Sequence, residues 1–161
     1  MPVVESSVIV RVTPEVAFAV SQTTGDIRKR WDTFIREQYF LDGATRAAID
    51  VRTVTVSKRG AHMTSEYVSF NPPRNVGMRV LDGPWFFEKL AGGWRFEKHP
   101  EGTQAIWKYN FTCRPAIIRA PAEFIGKWLT KRDIDRRIEG FARGCEDPVV
   151  LKAAAELATS W

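Results

Sequence analysis

The chain has 161 residues, 44% of them hydrophobic and 27% charged, with a formal net charge of +5. That is the length and balance of one globular domain able to bury its own core. Two distant Cys exclude a disulfide scaffold, and no apolar run approaches the ~18 residues of a membrane-spanning helix.

Val4 to Val12 predicts a strand, with Val8, Val10 and Val12 on one side and Ser7, Ile9 and Arg11 on the other. Thr13, Pro14 and Glu15 then signal a helix start: an N-cap, a proline at the first helical position, and an acid near the positive end of the dipole. Thr24-Gly25-Asp26 breaks this helix. Asp26 caps a second, in which Ile27, Trp31, Phe34 and Ile35 fall at i, i+4, i+7 and i+8 on one apolar face.

From Gln38 the pattern turns to β. Strands are expected at Gln38–Leu41, Ala48–Ser57, His62–Phe70 and Asn75–Leu81. Asn71-Pro72-Pro73 and Asp82-Gly83-Pro84 separate them. Pro84 to His99 reads as one long curved strand with Gly92-Gly93 as a bulge. After the turn His99-Pro100-Glu101-Gly102, Trp107, Tyr109 and Phe111 alternate with Lys108 and Asn110. Trp94 and Phe96 alternate in the same way on the near side. The hairpin therefore sets Trp94, Phe96, Trp107, Tyr109 and Phe111 on one face, as the wall of either a core or a ligand cavity.

Arg114-Pro115 ends the sheet. Phe124, Ile125, Trp128 and Leu129 form one helical stripe, and Ile134, Ile138, Phe141, Ala142 and Cys145 another, over a quarter turn out of phase. Thr130 and Asp133 fit a capping pair, so a fresh helix start there is reasonable. The segment from Pro121 to Arg143 is long and amphipathic either way. Asp147-Pro148 caps a weaker terminal helix, Val149–Ala158. Lys127, Lys131, Arg132, Arg136 and Arg137 are interleaved with Asp133, Asp135 and Glu139, which reads as a solvated helix face rather than a nucleic-acid stripe. Weak contact of this segment with an anionic membrane surface, or with an acidic ligand, stays open. Cys113 and Cys145 are expected as reduced, small apolar residues. No basic-then-apolar leader is seen, so a cytoplasmic location is expected.

Strand, two short helices, a run of antiparallel strands and a long last helix resemble the START-like helix-grip superfamily. Thr13-Pro14-Glu15-Val16-Ala17-Phe18 resembles its opening turn, Asn71-Pro72-Pro73-Arg74 its hairpin, and Gly83-Pro84-Trp85 the approach to its sixth strand. Gly93-Trp94-Arg95-Phe96, followed by Glu101-Gly102-Thr103, resembles its close. The resemblance covers the whole chain, residues 1–161, as one ligand-binding domain. It implies an α+β fold in which a seven-stranded curved antiparallel sheet wraps the C-terminal helix, with a cavity between them. The polyketide cyclase/dehydrase and coenzyme Q-binding branches look nearest. In the cyclase branch the fourth strand offers Trp residues and an Arg to the cavity. The matching positions here are Met63, Ser65 and Tyr67, leaving Arg79 or Arg52 as substitutes.

The expected function is binding of a small hydrophobic molecule: aromatic, polyketide-like, quinone or lipid. Expected ligand-binding residues are Trp31, Phe34, Met63, Tyr67, Trp94, Phe96, Trp107, Tyr109, Phe111, Phe124 and Trp128, with Phe124 and Trp128 as the lid and Trp31 and Phe34 closing one end. Tyr67, Tyr109 and Arg79 are the candidates for orienting the ligand. In the alternative, a polyketide aromatase/cyclase or dehydratase, Tyr67 or Tyr109 serves as general acid. A further alternative is a partner-binding module whose cavity has collapsed into core. A carboxylate pair drawn from Asp50, Glu66 and Glu88 is expected to face solvent instead. His62 and His99 lack the spacing of metal ligands, and no cofactor or phosphate-binding motif is found. The oligomeric state is left open, a homodimer included.

Overall fold

The computed structural model describes residues 1–161. Strand β1 (Val3–Val10) leads into helices α1 (Pro14–Ser21) and α2 (Gly25–Trp31). Six strands follow: β2 (Ile35–Phe40), β3 (Arg52–Ser57), β4 (His62–Asn71), β5 (Asn75–Asp82), β6 (Phe87–His99) and β7 (Gly102–Cys113). After a single 3-10 turn come α3 (Arg119–Gly144) and α4 (Pro148–Ala158). The sheet is antiparallel throughout, in the order β1-β7-β6-β5-β4-β3-β2. This is the seven-stranded helix-grip arrangement, with α3 laid over β1 and β7 and α4 packed on α1.

Both proline-started helices are capped as the residues dictate. Thr13 Oγ1 accepts from the Val16 amide at 3.4 Å, and Asp147 Oδ1 from the Val149 amide at 2.9 Å. Three sequence expectations are corrected. Helix α2 begins at Gly25 and stops at Trp31, so Phe34 lies in the following turn and Ile35 opens β2. The Asp32 side chain accounts for the stop: its carboxylate accepts from the Phe34 amide at 3.3 Å, turning the chain out of the helix. Strand β3 begins at Arg52 rather than Ala48. The pairing of β6 runs in register through Gly92 and Gly93, and its irregularity falls between Phe87 and Lys89. The two glycines mark close approach instead. A Cβ on Gly93 would stand 2.2 Å from the Val76 carbonyl oxygen, and one on Gly92 2.3 Å from the Tyr109 ring.

Helix α3 is one continuous element across Thr130. Its second half buries Ile134, Ile138 and Phe141. Gly140 and Gly144 let it close on α2, since a Cβ on Gly140 would stand 2.1 Å from the Trp31 carbonyl oxygen. The Trp31 ring then meets Phe141 edge-on at 5.7 Å. Side chains of this size contribute roughly 1.5–3 kcal/mol each on full burial. Cys113 and Cys145 are buried and unpaired.

Candidate functional site

The concave face of the sheet divides into a filled half and an open half. In the filled half the Trp94 ring stacks on Trp107 at 4.2 Å and meets Phe141 at 4.6 Å and Phe96 at 5.7 Å. Phe96 and Phe70 both meet Phe18 of α1 edge-on. Trp31, Tyr67, Trp94, Phe96, Trp107 and Phe111 are all buried. This half of the aromatic wall is thus closed by contact with the helices. The Tyr67 hydroxyl donates weakly to Gln22 Oε1 at 3.4 Å, and burial pushes its pKa up to about 12 despite the nearby Arg28.

At the edge of the filled half sits a buried ion cluster. Asp32 has no exposed surface. Arg137 of α3 clasps it with two hydrogen bonds, Nε to Oδ1 at 3.1 Å and Nη2 to Oδ2 at 2.8 Å. Arg28 Nε adds a third at 3.0 Å, while its Nη1 donates to the Ser21 carbonyl at 2.6 Å. The Arg137 guanidinium lies over the rings of Trp107, at 4.4 Å, and Phe34, at 4.6 Å. Burial alone would raise the Asp32 pKa, but the charges of Arg137 and Arg28 outweigh it and hold the carboxyl at about 2. Burial likewise opposes the charge on Arg137, and Asp32 reverses that and raises its pKa. Two of its nitrogens are committed to Asp32 and its plane lies against two rings, so Arg137 is a strut joining α3, the turn after α2 and the sheet.

Its remaining nitrogen reaches the open half, where Nη1 donates to the Tyr109 hydroxyl at 3.0 Å. That hydroxyl accepts from a cation and keeps its own proton to give. The Tyr109 ring lies over Gly92, the one residue type that leaves room for it. Beyond it, Met63, Met78, Val80 and Leu90 share the concave side, opposite or alternate to Tyr67 and Phe111 in the register. Like Tyr109, they are only half-buried. A cleft of about 260 Å³ opens where they end, lined by Val80, Leu90, Phe87, Trp85, Leu81 and Arg114 among others. A second depression of about 310 Å³ is a trough on the opposite face of the sheet, over Gly77 and Gly93, with Lys108 and Asn110 at its side. Trp94 and Met78 of the concave face also border it, because the strands there are thinned by Gly77, Gly92 and Gly93.

The first half of α3 touches the sheet through small residues. A Cβ on Gly126 would lie 3.2 Å from the Phe111 ring and 3.6 Å from Cys113 Sγ, and Ala122 packs on the same group. The expected lid residues turn away, with Phe124 79% and Trp128 61% exposed. Arg79 is on the outer face, where it pairs with Glu66 at 2.7 Å, and Arg52 pairs with Asp42 at 2.8 Å. Neither arginine reaches the concave side. Glu88 is tied to Arg119 rather than to another carboxylate. No three His, Cys, Asp or Glu side chains converge as metal ligands, and no helix is long and apolar enough to cross a membrane.

The ion cluster escaped the sequence reading. Arg137 had a signal: it stands three residues after Ile134 and one before Ile138, on the buried phase of α3. Asp32 and Arg28 had none, because the end of α2 was not visible.

The sequence pattern of the family described as polyketide cyclase / dehydrase and lipid transport matches residues 1–146. No curated protein matches the chain significantly. Among solved structures, a protein of Thermus thermophilus superposes with TM-score 0.72 at 14% identity, over 95% of this chain and 99% of that one. A START superfamily protein from Mycobacterium smegmatis gives TM-score 0.72 at 11% identity, over 89% and 97%. The Zhui aromatase/cyclase of a Streptomyces species gives TM-score 0.70 at 18% identity, over 92% and 95%. At such identities the likeness is one of fold.

Proposed function

Because the chain belongs to the polyketide cyclase/dehydrase and lipid-transport family, we propose that it binds a small hydrophobic molecule in the open half of its concave face. The guest is an aromatic, polyketide-like, quinone or lipid molecule carrying a carbonyl or similar acceptor. One observation carries the reading: Met63, Met78, Val80, Leu90 and Tyr109 stay half-buried on the side of the sheet that should be core, and Val80 and Leu90 among them line a 260 Å³ cleft. Apolar groups left half-wet gain about 25 cal/mol for each Å² a guest covers. Methionine suits guests of varied shape, being unbranched and polarizable. Tyr109 orients the guest by donating its free hydroxyl proton, with Arg137 holding the ring and sharpening the donor.

The test is a melting-temperature screen with apolar aromatic and isoprenoid compounds, since a ligand that binds only the folded form stabilises it. Hits are expected, and Tyr109→Phe should weaken carbonyl-bearing hits by roughly 3–10-fold, one hydrogen bond's worth. Compounds without an acceptor should bind the variant unchanged. A broad screen with no stabilising compound would overturn the proposal.

A second reading is cyclase or dehydratase chemistry in the same cleft. The polarised Tyr109 hydroxyl favours it, as the general acid toward a substrate carbonyl. Tyr67 is shut inside the filled half, where burial raises its pKa to about 12. Turnover retained in Tyr109→Phe would remove that reading and leave binding intact.

A further inference from the structure

The apolar stripe on the first half of α3 has no partner within the chain. Phe124, Ile125, Trp128 and Leu129 are exposed, and so are Trp85 and Phe86 of the β5–β6 loop, Trp85 at 75%. The helix start and that loop form one surface. Arg119 Nη2 donates to Glu88 Oε2 at 2.5 Å, and the Arg114 amide to the Phe86 carbonyl at 2.8 Å. Single exposed apolar residues are ordinary, but a contiguous aromatic group marks a contact surface.

The charges around it select the partner. Of the cations in residues 114–132, Arg119 pairs with Glu88 and Lys131 with Asp135, which leaves Arg114, Lys127 and Arg132 without an ion-pair partner. Glu123 is turned inward, accepting from the Cys113 amide at 3.2 Å. The Arg132 guanidinium sits 5.8 Å from the Trp128 ring centroid, at the edge of the stripe. A second copy meeting this face about a two-fold axis would bring like charges together, which is costly. A nucleic-acid duplex would answer the cations through its phosphates and leave the aromatics wet. Aromatic and aliphatic side chains framed by Lys and Arg on one helix suit the interface of an anionic bilayer. We infer that this face docks on an anionic lipid membrane, with Trp85, Phe86, Phe124 and Trp128 seated among the headgroups. Trp85 and Arg114 also line the 260 Å³ cleft, so docking brings the cleft's mouth to the lipid surface. The docking stands whether or not the cleft takes a ligand.

Co-sedimentation of the full chain with vesicles tests it. Binding to phosphatidylcholine vesicles containing phosphatidylserine should exceed binding to phosphatidylcholine alone by roughly tenfold or more, as two or three engaged cations predict. It should fall as salt rises. The double variant Phe124→Ser/Trp128→Ser should lose at least about tenfold of that binding, with circular dichroism and melting temperature showing it folded. Equal partitioning onto neutral and anionic vesicles, or unchanged binding by the double variant, overturns the inference. So does a wild-type dimer in sedimentation velocity that the double variant dissociates while neither protein binds vesicles, since the stripe then belongs to a second copy.

Discussion

Asp32 has given up all contact with water and is repaid by three hydrogen bonds from two guanidinium groups. Removing its charge would leave Arg28 and Arg137 buried beside each other with nothing between them. Asp32→Asn should therefore destabilise the fold by about 3–5 kcal/mol in urea denaturation, well above a typical point substitution. The acid limb follows from the same group. Its pKa falls from 3.8 to about 2 on folding, so its contribution is complete above the ordinary carboxylate range. That contribution fades as pH falls from about 4 through about 2, and the stability gap between wild type and Asp32→Asn should narrow over that window. A gap that stays constant down to pH 2 would mean the cluster is not what holds this corner. Of the three residues, Arg137 was assigned to the solvated face of α3, whereas the structure buries it on the phase of Ile134 and Ile138. Asp32 was not legible, because the apolar spacing of Ile27, Trp31, Phe34 and Ile35 mimics a helix that the chain leaves at Trp31.

Helix α3 shows what an element can hide. Its two stripes were visible as a change of phase, and the change is real, yet it marks no break. Nothing between Leu129 and Ile134 stops a helix, and the second stripe is the one that packs. Phe141→Ala should cost about 3–5 kcal/mol, whereas Phe124→Ala and Trp128→Ala should stay within about 0.5 kcal/mol of wild type. Gly140→Ala sets two effects against each other. Alanine favours a helix over glycine by ~1 kcal/mol, but its Cβ would stand 2.1 Å from the Trp31 carbonyl oxygen, and backbone cannot step aside. We expect net destabilisation; a more stable variant would show that α3 and α2 are not locked together there. The Gly92-Gly93 pair misled for a related reason. Glycine in a strand reports either a bulge or a close neighbour, and only the fold reveals the Tyr109 ring and the Val76 carbonyl.

At the scale of the molecule, the order of elements and the aromatic alternation were enough to indicate the helix grip. The use of its concave face was not legible, because period-2 aromatics look the same whether rings meet a helix or a guest. The structure splits that face. Trp94, Phe96 and Trp107 are stacked into core with Phe141, while Tyr109 and the side chains beyond it remain half-open. Phe124 and Trp128, expected over the cavity, instead face outward, and the membrane docking inferred above rests on them. The central claim is that a hydrophobic guest lies in the open half, and the three methionines report on it directly. Met63 and Met78 stand half-buried on that face by strand register, and exposed Met1 is a control. In carbon-13 methyl-methionine spectra titrated with a stabilising hydrophobic compound, the Met63 and Met78 signals should shift together while Met1 stays in place. Shifts absent from both, with the compound still raising the melting temperature, would put the guest elsewhere and contradict the account.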